Sequence, residues 1–129
     1  LTSKTLGVPF LSYKDVLFND RAEALPTALD GDALASQTIS SALKHGWAWK
    51  IPLNNRFGNG YVYSSEHTDA DSAEKELREH IGLGDESVEA RHLKMRVGRS
   101  ATCWNRNSLA VGLSQGFIEP LEATAHVNM

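Results

Sequence analysis

With 129 residues the chain is long enough for one modest hydrophobic core. Its 41% hydrophobic and 22% charged side chains fit a soluble globular protein, and 13 basic against 16 acidic groups leave a net charge of -3. No long run carries one sign, so there is no electrostatic footprint for DNA, RNA or an anionic membrane. Cys103 is the only cysteine, which excludes an intrachain disulfide and a multi-cysteine metal site and fits a reducing, cytoplasmic compartment. No apolar run approaches the roughly 20 residues that a membrane helix needs. The start has neither an initiator methionine nor a signal-peptide pattern, and both ends read as cut, so an internal piece of a longer protein is expected.

Between Leu11 and Ala24 an apolar and aromatic stretch, broken by Asn19-Asp20-Arg21, predicts one or two short strands. Asp30-Gly31-Asp32 signals a turn. Ala33 to Lys44 is ambiguous, because Ala and Leu favour helix while Thr38, Ile39, Ser40 and Ser41 suit a strand or loop. Trp47-Ala48-Trp49-Lys50-Ile51 alternates with the strand period up to Pro52, which sets both tryptophans on one face. Phe57-Gly58-Asn59-Gly60 reads as a turn leading into a strand, Tyr61 to Ser65, that can pair antiparallel with the tryptophan strand.

The clearest helix begins near Thr68-Asp69. Ala70, Ala73, Leu77 and Ile81 form its apolar stripe, Glu74 and Arg78 are an i,i+4 pair on a solvated side, and Gly82 stops it. Val88 to Val97 predicts a strand, Gly98-Arg99-Ser100 a turn, and Leu109 to Leu113 another short strand. Pro120 suits a helix's first turn, so a helix is expected from about Glu119. Strand, small-residue turn and helix in that order direct unpaired amides at an anion or cofactor edge.

Candidate chemistry is sparse on the residues alone. Gly58-Asn59-Gly60 lacks the third glycine of a dinucleotide loop and precedes a strand, where such a loop follows one. His45, His67, His80, His92 and His126 lack metal-ligand spacing, so no metal site is expected. From spacing, Trp47 and Trp49 read as core ahead of pocket lining. Glu119 and Glu122 read as capping carboxylates ahead of tuned ones. This much defines an α/β chain with a possible anion-binding helix start, or a noncatalytic interaction domain.

Four blocks in order change that reading. They are Gly46-Trp47-Ala48-Trp49-Lys50-Ile51-Pro52-Leu53, Gly58-Asn59-Gly60-Tyr61-Val62-Tyr63-Ser64-Ser65, Val97-Gly98-Arg99 ahead of Trp104 and Asn107, and Gly112 to Thr124 with Glu119-Pro120-Leu121-Glu122-Ala123-Thr124 at its end. Together, from about Leu11 to the end, they resemble the flavin-dependent tryptophan halogenase family. The resemblance implies a partial flavin-monooxygenase-like FAD-binding fold, an α/β arrangement of a mixed sheet with flanking helices. Residues 1–129 would then be part of a catalytic domain without its N-terminal dinucleotide motif, catalytic lysine or C-terminal substrate region.

It further implies FAD, reduced by a separate flavin reductase, together with oxygen and chloride or bromide. The substrate would be an electron-rich aromatic, free or carrier-bound: tryptophan, another indole or a phenol. By the same resemblance Glu122 is the catalytic carboxylate, Trp47, Gly116 and Pro120 lie on the flavin side, and Thr124 with the Ala125 amide holds halide. Ala123, Ala125 and His126 depart from the serine, glycine and apolar residue usual there, which points to a subgroup with a different aromatic substrate. The competing expectations are an aromatic flavin monooxygenase and a noncatalytic structural piece.

Overall fold

In the computed structural model, which describes residues 2–29, 36–84 and 88–118, the chain begins with a single helical turn α1 (Thr2–Thr5). Strands β1 (Phe10–Ser12), β2 (Arg21–Thr27), β3 (Ile39–Leu43), β4 (Gly46–Pro52) and β5 (Phe57–Tyr63) precede helix α2 (Ala70–Ile81). After it come β6 (Arg91–Lys94), β7 (Gly98–Ser100), β8 (Trp104–Asn105), β9 (Ser108–Leu109), a 3-10 turn (Gly112–Ser114) and β10 (Gly116–Phe117). The fold is α/β, and every strand pairing among the described residues is antiparallel. Contacts divide the chain into two units, Arg21–Lys94 and the flanking stretches Leu1–Asp20 with Met95–Met129.

The Arg21–Lys94 unit is a five-stranded sheet in the order β3-β4-β5-β2-β6 with α2 on one face. Period-two alternation selects what points at the helix. Ala48, Tyr61, Tyr63 and Leu25 face it and pack with Ala73 and Leu77, an i,i+4 pair on the helix. The helix starts where Asp69 accepts from the Ser72 N–H at 2.9 Å, and it ends at Gly82, whose φ of 73° is left-handed. The expected apolar stripe is therefore present. Of the side expected to be solvated, Lys75 and Glu79 are exposed, but Arg78 is buried and bonds the Val88 carbonyl at 2.6 Å as well as Glu74. The carbonyls of Gly84 and Val88, after the helix, accept from the Arg78 guanidinium.

The ambiguous stretch before Lys44 resolves, in its described part, as strand β3. The turn expected at Phe57-Gly58-Asn59-Gly60 is instead strand. The chain turns earlier, where the Leu53 N–H donates to the Arg56 carbonyl at 2.9 Å, and Phe57 already pairs with Pro52. The turn signal at Asp30-Gly31-Asp32 lies outside the described residues.

In the other unit β7 is the centre of a three-stranded sheet, β1-β7-β10. The turn expected at Gly98-Arg99-Ser100 is thus also strand. Gly98 has a φ of 142°, and a Cβ there would lie 2.1 Å from the Leu11 carbonyl, so glycine here serves a close strand approach. The strand expected over Leu109 to Leu113 stops at Leu109, and Gly112, with a φ of 55°, opens the 3-10 turn. Arg99 reaches out of β7 to bond the Tyr13 hydroxyl at 2.7 Å.

Candidate functional site

Strand β4 lies between β3 and β5, so its backbone is fixed on both sides. Ala48 points at α2. Trp47 and Trp49 therefore stand on the opposite face, half-buried, opposite Val62 and Gly60 of β5. Their rings are 5.9 Å apart at 55°, a tilted contact. The core placement that spacing alone favours is thus replaced by an aromatic pair on the face away from the helix. An accessible indole pair offers flat apolar surface suited to a planar ring such as that of a flavin. The Gly58-Asn59-Gly60 run lies within β5 and forms no loop, so the fit concerns the ring end of FAD alone.

Gly116 opens β10 in the other unit, opposite Arg99. A Cβ there would come within 2.6 Å of the Gly98 carbonyl, so strand packing already requires its glycine. Pro120, Glu122, Thr124 and Ala125, and the helix expected from Glu119, lie outside the described residues. Among the described residues no cluster of three or more His, Cys, Asp or Glu could hold a metal ion.

One polar cluster escaped the sequence reading. Glu23 on β2 is wholly buried, accepts from the Tyr63 hydroxyl at 2.8 Å and meets His92 Nδ1 at 2.5 Å. The other ring nitrogen of His92 lies 3.5 Å from Glu74. The hydrogen bond to Glu23, and then its charge, raise the His92 pKa above the usual imidazole value. The signal was period two: Glu23 is two residues from apolar Leu25 and shares its inward face. Nearby, Tyr61 receives the His45 N–H and donates to Glu76, each at 3.0 Å. Burial above all pushes its hydroxyl up to about 12, so it stays a proton-bearing tie to α2.

The fold is that of solved flavin-dependent halogenases. The tryptophan 6-halogenase SttH from Streptomyces toxytricini superposes with a TM-score of 0.91 and 46% identity, over 98% of this chain and 25% of that one. BrvH, a flavin-dependent halogenase from Brevundimonas sp. BAL3, does so with a TM-score of 0.87 and 42% identity, over 98% and 26%. The 7-chloro-L-tryptophan 6-halogenase KtzR of Kutzneria sp. (strain 744) is 48% identical over 96% of this chain and 24% of its own length. The family model for tryptophan halogenase matches residues 1–128, and the chain belongs to that family. It spans about a quarter of the length of these relatives.

Proposed function

We propose that this chain works as the central part of a longer FAD-dependent halogenase that uses oxygen and halide to halogenate an electron-rich aromatic. The observation that carries the reading is the Trp47–Trp49 pair standing on the sheet face away from the helix, in a chain of this family. When bound, reduced FAD supplies the oxygen chemistry that oxidises halide. Trp47 and Trp49 wall the ring side of that site with rigid apolar surface and keep water from it. Gly116 and Pro120 shape the connection on the flavin side. Thr124 and the Ala125 N–H hold chloride or bromide, the amide supplying a fixed positive dipole. Glu122 serves ring substitution, either by orienting the halogenating species or by assisting loss of the ring proton, a place where a carboxylate suits a cationic ring. A separate flavin reductase supplies the reduced cofactor in the cytoplasm.

Tryptophan, other indoles and phenols are all candidate substrates, because Ala123, Ala125 and His126 depart from the best-known tryptophan enzymes. The test is product analysis with the full-length enzyme, reduced FAD and such a panel, with halide present or withheld. Halogenated product that requires halide supports the reading. A hydroxylated ring formed equally well without halide overturns it.

A further inference from the structure

Gly60 is the cross-strand partner of Trp49, and the two share the face of the sheet away from α2. A Cβ at Gly60 would lie 2.0 Å from Cζ2 of Trp49, 2.3 Å from Cη2 and 2.5 Å from Cε2. The indole therefore lies on bare β5 backbone, in space that any other residue would fill. The clash falls on the six-membered part of a large rigid ring, so the whole side chain must move to relieve it. Gly58, two residues earlier on the same face, is different, because a Cβ there would meet nothing closer than 3.8 Å. Between them Asn59 points to the other face, where its side-chain N–H group bonds the Leu25 carbonyl at 3.1 Å and the Thr27 hydroxyl at 2.9 Å. Those bonds tie the strand to β2, so β5 cannot easily retreat from the ring.

We propose that Gly60 is the positioning residue for Trp49: its missing side chain lets the indole lie against β5, and this sets the tilt of the Trp47–Trp49 pair. The consequence for catalysis rests on the function proposed above; the geometry does not. Under that reading Gly60 aligns one wall of the site without touching a reactant. A larger residue at 60 would swing Trp49 outward and loosen the hold on the halogenating chemistry.

Two readouts on the full-length enzyme separate the two claims. Indoles this close couple their ultraviolet transitions and give a paired circular-dichroism band that depends on distance and angle. That band is isolated by subtracting the spectrum of the matching Trp47→Phe variant. Gly60→Ala should lose most of it, while Gly58→Ala keeps it. An unchanged band in folded Gly60→Ala overturns the proposal. Halogenated product per flavin oxidised should fall about tenfold in Gly60→Ala, the scale expected of a small misplacement at a reacting centre. Loss of the band with product yield unchanged supports the positioning and overturns the placing of the pair at the reacting centre. If Gly60→Ala does not fold, Gly60→Ala combined with Trp49→Leu decides. Recovery of folding by the shorter side chain supports the proposal, and failure to recover shows that β5 needs glycine for its own backbone and overturns it.

Discussion

Glu23 is buried, and its partners among the described residues are the titratable ring of His92 and the Tyr63 hydroxyl. Glu74 and Asp71 on α2 also raise the His92 pKa. A raised pKa means that protonation favours the folded state, a contribution complete below the ordinary value of 6.5 and lost as pH rises through the folded value. The unfolding midpoint should therefore fall with rising pH across that window, and His92→Gln should flatten the slope. A wild-type midpoint flat across the window would contradict the pairing. Single residues were the least legible scale in the sequence. The i,i+4 spacing of Glu74 and Arg78 was readable, but the burial of Arg78 was not, because its further partners are the backbone carbonyls of Gly84 and Val88, which side-chain periodicity does not mark.

Elements were more legible where the signal was periodic. Helix α2 has its cap, stripe and stop where the pattern puts them, and β4 and β5 pair as the alternation implies. Glycine misled the reading twice. At Gly58, Gly60 and Gly98 it lies within strands; at Gly60 and Gly98 it makes room for an indole ring and a carbonyl, a cause that depends on the neighbouring strand and not on local sequence. Gly82 is the contrasting case, with open space around it and a left-handed backbone. Gly82→Ala should thus cost about 1 kcal/mol from the backbone alone. Gly84→Ala, also in open space and without the positive φ, should cost little. Denaturant unfolding measures both, and equal midpoints for the two variants would rule out the left-handed cap as the cause.

At the scale of the whole molecule, Trp104, Leu109, Val111 and Leu113 are exposed, the last to 80%. A run of apolar side chains in water marks a surface suited to burial. That agrees with the proposal that the chain works inside a longer one. Alone it should bind an apolar fluorescent dye that the full-length enzyme does not, and a cooperatively folding monomer without dye binding would count against this. Of the candidate site, the shared sheet face of Trp47 and Trp49 was legible from the strand period, whereas the role of Glu122 rests on motif alone and its segment lies outside the described residues. The most direct test of the central claim compares Glu122→Gln with a Glu119→Gln control in the full-length enzyme, following halogenated product and flavin oxidation separately. A carboxylate that serves ring substitution predicts a loss of about 100-fold in product (~3 kcal/mol), with oxidation of supplied reduced FAD intact. Halogenation at the wild-type rate by a folded Glu122→Gln enzyme would contradict it.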